Sequence, residues 1–320
     1  MMKQELTFSG EVKEELSKNL AEKEHCHIAE IAAIIGMCGK VAIDSRERYS
    51  IKVRTENVSV ARKYFTLLRK TFNIDTETLV SANKSKGHTT YTVIIKRHED
   101  AMRVLSETKL MDDDGEISEE FSIIRRPCCK RAYLRGAFLA AGSISNPEKS
   151  YHIEIVCANR KRANQIKMLI NGFRLDSKVI LRKNSYVVYL KEGSQIVDLL
   201  NIIEAPISLM KMENVRILKE MRNTVNRKVN CETANINKTV SAAAKQAEDI
   251  AFIQKTIGVS KLPDTLQEVA RLRLAHPEAS LKELAELSTS EIGKSGINHR
   301  LRKLSEIAEE LRENKEEQTW

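Results

Sequence analysis

No stretch of the 320 residues approaches the ~18–20 uninterrupted apolar side chains that a membrane-spanning helix needs, which argues against an integral membrane protein. The N-terminal run MMKQELTFSGEVKEELSK has no apolar core segment, so no secretory signal is expected. The six cysteines, Cys26, Cys38, Cys128, Cys129, Cys157 and Cys231, follow no disulfide-framework spacing, and a reduced, cytosolic protein is expected. No Gly-x-Gly-x-x-Gly occurs, and Gly293-Lys294-Ser295 is not the end of a phosphate-binding loop, because Ser288 stands where that loop needs its first glycine. Gly36-Met-Cys-Gly39-Lys40 likewise has the wrong spacing and runs on into Val41. His25-Cys26-His27 suggests a metal, but neighbouring helical side chains diverge by about 100°. With no Cys-x-x-Cys or paired histidines elsewhere, no metal or other cofactor is expected. Asp112-Asp113-Asp114-Gly115 lacks the alternating ligands of a calcium loop and reads as a solvated acidic turn.

Apolar residues make up 42 %, enough for a packed core, and the length favours two domains. The formal net charge is +9, and it is unevenly spread. Residues 121–204 hold 15 basic against 6 acidic side chains, and residues 294–303 hold Lys294, Arg300, Arg302 and Lys303 with no acid. Concentrated positive charge attracts polyanions, because neutralised phosphates release their counterions. A merely soluble basic surface is the alternative that charge alone leaves open. An anionic membrane is disfavoured, since no Lys/Arg-rich helix also carries a large aromatic or leucine face.

Two segments about 102 residues apart read alike. Ile31-Ala-Ala-Ile-Ile-Gly-Met-Cys-Gly39 matches Leu134-Arg-Gly-Ala-Phe-Leu-Ala-Ala-Gly142, and Tyr49, Asn57 and Phe72 match Tyr151, Asn159 and Phe173. The alternations from Tyr91 to Lys96 and from Tyr186 to Lys191 then correspond, which points to a duplicated unit. Each copy reads as a small-residue helix, two strands, an amphipathic helix (about 58–72 and 160–172), further strands and a last helix (about 98–108 and 194–203). Gly39 and Gly142 suit the left-handed position that ends a helix. Ala32, Ala33, Gly36, Gly136, Ala137, Ala140 and Ala141 would let two helix backbones approach closely, whether as a two-fold seam or as plain tight core.

These paired segments resemble the central helices of the LAGLIDADG homing-endonuclease fold. In that family the acid before the final glycine of each helix holds the catalytic divalent metal. Here those positions are Cys38 and Ala141, and the earlier acidic position is Gly36 in one copy and Leu139 in the other. A hard cation wants carboxylate oxygens, and neither alanine nor a thiol supplies them. The resemblance implies a degenerate, non-catalytic relative of the nucleases.

After Pro206 the composition shifts. Asn223, Asn226 and Asn230 share one helical face, flanked by Arg222, Arg227 and Lys228, a set that could hydrogen-bond phosphates or base edges or could simply be a solvated helix between domains. Residues 238–254 read as an alanine-rich helix with Val240, Ala243, Ala247 and Ile250 on one side. A helix over 262–274 stops near His276-Pro277. Ser280 and Glu283 have capping-box spacing ahead of the short helix 281–287. On a helix starting near Ser295, Ile297, Leu301, Leu304, Ala308 and Leu311 form an apolar stripe. Ser295, His299, Arg302 and Lys303 project opposite, with Asn298 and Arg300 on the flanks. This is the pattern of a helix-turn-helix whose second helix presents its N-terminal side chains to the major groove, although the connector is longer than the usual tight turn. A bland helical hairpin would share the stripe but need not gather four cations there.

The whole order, including Phe8-Ser-Gly-Glu-Val-Lys-Glu-Glu-Leu16 at the start, closely resembles the bacterial WhiA family. The expected fold is α+β, with two pseudo-symmetric αββαββα repeats (about 20–110 and 121–205, within a domain 1–205), a linker 206–235 with an Asn/Arg-rich helical segment, and an all-α helix-turn-helix domain 236–320. The resemblance implies a cytoplasmic, nucleoid-associated, non-catalytic protein that binds duplex DNA. It further implies a transcription regulator of sporulation, or of cell division and chromosome segregation. Lys294, Ser295, Asn298, His299, Arg300, Arg302, Lys303, Arg222, Asn223, Asn226, Arg227, Lys228 and Asn230 are the candidate DNA contacts. Two alternatives remain: an active metal-dependent endonuclease with a rearranged site, and an assembly module whose repeats dock another protein such as RNA polymerase.

Overall fold

Asn57 and Asn159, equivalent in the two repeats, show why the duplicated sequence folds twice in the same way. Each is the N-cap of an amphipathic helix: the Asn57 side-chain oxygen accepts from the Ser59 and Val60 amides at 2.9 and 3.3 Å, and that of Asn159 accepts from the Arg162 amide at 2.8 Å. The computed structural model describes residues 6–83, 88–111, 123–290 and 292–317. The acidic turn at 112–115 lies outside them.

A leading helix α1 (Phe8–Lys18) precedes the first repeat, which runs α2 (Glu24–Cys38), β1 (Gly39–Ile43), β2 (Tyr49–Thr55), α3 (Val58–Phe72), β3 (Glu77–Asn83), β4 (His88–Ile95) and α4 (His98–Glu107). The second runs α5 (Pro127–Ala141), β5 (Gly142–Ile144), β6 (Ile153–Cys157), α6 (Arg160–Asn171), β7 (Lys178–Arg182), β8 (Ser185–Leu190) and α7 (Gly193–Ile202). Both sheets are antiparallel with the same strand order, β1-β2-β4-β3 and β5-β6-β8-β7. The αββαββα unit is therefore present twice.

The two glycines behave differently from the expectation. Gly39 (φ −84°, ψ 154°) and Gly142 (φ −86°, ψ 154°) are extended, not left-handed, because helix passes straight into strand. Glycine is needed there for space. A Cβ on Gly39 would lie 2.5 Å from the Ile35 carbonyl oxygen, and one on Gly142 would lie 2.6 Å from that of Phe138 and strike its ring. The close helix approach does occur: a Cβ on Gly136 of α5 would meet the Glu30 carbonyl of α2 at 2.6 Å and the Ala33 side chain at 2.9 Å.

Two apolar cores flank this seam. One gathers Ile31, Ile34, Ile51, Val53, Leu67, Leu68, Val93, Ile95 and Val104 from the first repeat. The other joins Phe8, Val12 and Leu16 of α1 to Phe138, Ile153, Ile155, Ile166, Val188 and Leu199 of the second. Between them sits a buried ionic network. The Glu30 carboxylate accepts from Arg135 Nε and Nη2 at 3.2 and 2.9 Å, and lies 3.2 Å from Lys63 Nζ. Arg135 Nη1 reaches Glu204 at 2.6 Å. Lys63 also donates to the carbonyls of Asn19 and Leu16. Burial pushes the Lys63 ammonium below its ordinary pKa, opposed by Glu30 and reinforced by Arg135.

The segment 206–235, read as a linker, is helical throughout and continues without a break as α8 (Pro206–Thr256). Pro206 suits the first helical position, and the Glu15 carboxylate accepts from the Ile207 and Ser208 amides at 2.7 and 2.9 Å, satisfying two otherwise orphaned donors. The chain divides into two compact units, Met1–Lys219 and Glu220–Trp320.

In the second unit the last turns of α8, a 3-10 turn (Val259–Lys261), α9 (Asp264–Ala275), α10 (Leu281–Leu287) and α11 (Lys294–Glu317) enclose a core of Ile250, Ile253, Leu266, Val269, Leu284, Ile297, Leu301, Leu304 and Ala308. Ala243 and Ile250 face inward as expected. Val240 does not: it is 60 % exposed, because the core begins about a turn later. Among the described residues, no helix is long and apolar enough to cross a membrane.

Candidate nucleic-acid interface

The orientation of α11 follows from its stripe. Ile297, Leu301, Leu304 and Ala308 are each at most 1 % exposed, while Leu311 is half-buried. Lys294, Ser295, Asn298, His299, Arg302 and Lys303 are thereby left exposed, and the first turn carries no acid. The helix N-terminus adds its own partial positive charge. Two cations are less free than the rest. Lys303 Nζ lies 3.4 Å from Glu306. Arg300 is half-buried, and its Nη1 is enclosed with no hydrogen-bond partner among the described residues.

The helix before α11 is set by the expected capping box, in which Ser280 Oγ accepts from the Glu283 amide at 3.3 Å and Glu283 Oε2 accepts from the Ser280 amide at 2.7 Å. The α9–α10 loop is gripped by buried Arg273, whose Nη1 donates to the Ala279 carbonyl at 2.6 Å. Further support comes from Arg312 of α11, 2.8 Å from the buried Asp249 carboxylate of α8.

The long connector into α11 is clasped by a residue that the sequence did not mark, Glu268 of α9. Its Oε1 accepts from Ser288 Oγ (2.7 Å), Thr289 Oγ1 (2.9 Å) and the Thr289 amide (2.9 Å), and its Oε2 accepts from Ser290 Oγ (2.5 Å). Hydrogen bonds from Ser290, Ser288 and Thr289 hold its carboxyl well down, to about 2 against an ordinary 4.5. The sequence signal was the Ser-Thr-Ser run, three donors in need of an acceptor; which carboxylate supplies it needs the fold. A group with a depressed folded pKa stabilises fully above its unfolded value and loses that contribution as pH falls through the folded one. Glu268→Gln is therefore expected to lower the thermal midpoint at neutral pH, with the difference from wild type vanishing between pH 4.5 and about 2. Circular-dichroism melts across that range check it; a pH-independent difference would contradict the clasp.

The other candidate contacts lie on α8. Arg222, Asn223, Asn226, Arg227, Lys228 and Asn230 are all exposed, and Arg227 Nε donates to the Asn223 carbonyl at 3.3 Å. The three asparagines share a face, as i, i+3 and i+7 on one helix must.

Cys38 and Ala141, which the resemblance equates with the acid positions of the nucleases, end α2 and α5. The Cys38 thiol donates to the Ile34 carbonyl at 3.3 Å and is pushed up to about 11 by burial, with Lys13 opposing. At Gly36 a Cβ would collide with the Arg162 guanidinium. This end of the paired helices thus presents a protonated thiol, an alanine methyl and two cations. A divalent ion would find no carboxylate ligand at Cys38 or Ala141.

Comparison with known proteins agrees with this arrangement. The WhiA N-terminal LAGLIDADG-like domain matches residues 24–111, the WhiA LAGLIDADG-like domain 130–222 and the WhiA C-terminal HTH domain 225–308. The probable cell division protein WhiA of Lachnoclostridium phytofermentans is 53 % identical over 314 residues, covering 96 % of this chain and 100 % of that protein. That of Clostridium beijerinckii is 49 % identical over 316 residues, covering 97 % and 100 %. The crystal structure of full-length DUF199/WhiA from Thermatoga maritima superposes with a TM-score of 0.60 at 25 % identity, covering 95 % of this chain and 99 % of that one. With a degenerate repeat pair, a helix-turn-helix and relatives matched end to end, the chain belongs to the WhiA family.

Proposed function

We propose that this protein is a non-catalytic, sequence-specific binder of duplex DNA that regulates transcription. The observation that carries the reading is the acid-free, exposed N-terminal face of α11 above a fully buried apolar stripe. Asn298, His299 and Arg302 supply base contacts, with Ser295 beside them and Arg300 at the edge; Lys294 and Lys303 supply phosphate contacts. Arg222, Asn223, Asn226, Arg227, Lys228 and Asn230 add phosphate contacts or hold a partner. In this division residues 1–205 are a scaffold, 206–235 the connection and 236–320 the reader.

The absence of catalysis is supported by Cys38 and Ala141 in the former metal positions and by Lys13 and Arg162 near them. A role in cell division is supported by the names of the relatives; a cytoplasmic, nucleoid-associated location and a part in chromosome segregation or sporulation rest on the family resemblance alone.

Sequencing the fragments that the intact protein retains from a random duplex pool tests the reading. A defined motif is expected, lost in the Asn298→Ala/Arg302→Ala variant. Retention without sequence preference, or a motif unchanged in that variant, would refute it.

A further inference from the structure

The central helices have a second shared feature, at the ends opposite Cys38 and Ala141. The first turn of α2 carries His25 and Cys26, and the first turn of α5 carries Cys128 and Cys129. The offset between these pairs is 103 residues, the same as between Gly39 and Gly142, so the pseudo-two-fold that aligns the helices also aligns the pairs. Adjacent side chains diverge along each helix, but the close seam at Gly136 brings each pair against the other. One donor atom from each of the four residues lies within 4.8 Å of all the others. His25 Nδ1 is 3.3 Å from Cys26 Sγ and 3.2 Å from Cys129 Sγ. His27 takes no part, its Nε2 being 2.6 Å from the Ala21 carbonyl.

We propose that His25, Cys26, Cys128 and Cys129 form a structural zinc site that staples the N-terminal turns of α2 and α5 together. Three thiolates and one imidazole are a soft, closed tetrahedral set of the kind zinc takes in structural sites. Zn–S bonds of about 2.3 Å place ligand sulfurs about 3.8 Å apart, so the present spacing needs only a small contraction. Cys26 and Cys129 are buried, while His25 and Cys128 are half-buried. A cleft of about 370 Å³, lined by Cys26, Cys128, Arg135 and Glu204 among others, gives an ion access. Zinc with three thiolates carries one net negative charge. Lys23 and Arg126 act electrostatically on His25, and Arg135 acts on Cys26, so compensating cations are in place. The two helix N-termini favour the thiolates further. All six cysteines are free thiols, so no disulfide competes for these sulfurs in this structure. With four protein ligands and no open position, the site would stabilise and would not catalyse. The former nuclease metal positions play no part in it.

The test uses the full-length protein, purified without chelator and analysed by elemental mass spectrometry. One zinc per chain is expected in wild type and in the Cys231→Ser control, whose thiol is exposed on α8. The metal should be lost in Cys26→Ser and Cys128→Ser. Should those variants fail to fold, wild type decides alone. Stripped of zinc and titrated with Co²⁺, it should show intense tetrahedral ligand-field bands and thiolate-to-cobalt charge transfer, both displaced by one equivalent of Zn²⁺. Zinc well below one per chain together with no tetrahedral cobalt spectrum would overturn the proposal. So would zinc retained in folded Cys26→Ser and Cys128→Ser, or a disulfide among these cysteines in the freshly purified protein.

Discussion

Glu30→Gln should destabilise the repeat unit by about 3–5 kcal/mol, the usual cost of leaving buried charge uncompensated. Glu30 and Lys63 side chains are fully buried, and that of Arg135 is 1 % exposed. Removing the carboxylate leaves two cations facing each other across the seam, with only the partly exposed Glu204 to offset them. Each carboxylate oxygen faces a different cation, so a neutral amide cannot replace the pair of interactions. The network's stabilising role is conditional: with desolvation counted, a buried ion network is worth little more than a well-packed apolar cluster. A triple variant, Glu30→Met with Lys63→Met and Arg135→Met, should therefore recover most of what Glu30→Gln loses. Urea unfolding of the full-length proteins, followed by circular dichroism, measures both. A loss below about 1 kcal/mol for Glu30→Gln would mean that water reaches the network.

Arg302→Ala should weaken binding to the selected duplex by about 1–3 kcal/mol, or roughly 5- to 150-fold, while leaving a scrambled duplex nearly unaffected. Arg302 projects from the exposed side of α11, opposite Leu301 and Leu304, and a guanidinium can engage guanine through two parallel hydrogen bonds. Lys294→Ala is the contrasting variant. A lysine at the helix start is suited to phosphate, so the loss should be similar on both duplexes and the slope of log affinity against log salt should fall by about 1. Fluorescence anisotropy at several salt concentrations separates the two patterns. Equal losses on both duplexes for Arg302→Ala would make it a phosphate contact; no loss would remove Arg302 from the interface.

The repeat was legible because duplication leaves periodic marks that need no partner to interpret: the small-residue helices, Tyr49 and Tyr151, Asn57 and Asn159. The α11 stripe was legible for the same reason, since one helix carries its own period. The glycine geometry was misread because a helix-ending glycine has two uses, left-handed backbone and bare space, and only coordinates show the Ile35 and Phe138 carbonyls that demand space. The change of composition after Pro206 marks the start of α8 and no break within it. No glycine or proline stands between 207 and 256, and composition alone does not end a helix. Glu268, the Glu30 network and the partners of His25 and Cys26 were hidden because each depends on residues far apart in the chain. Cys128 and Cys129, which the fold brings against His25 and Cys26, stand 103 residues further along, in the second repeat.

One gel tests most directly whether this is a protein that holds DNA without cutting it. Supercoiled plasmid is incubated with the intact protein and Mg²⁺ or Mn²⁺, and each sample is run before and after protein is stripped away. Retarded bands that return to fully supercoiled plasmid on stripping are the expected result. Nicked or linear plasmid after stripping, absent when EDTA is present, would contradict it.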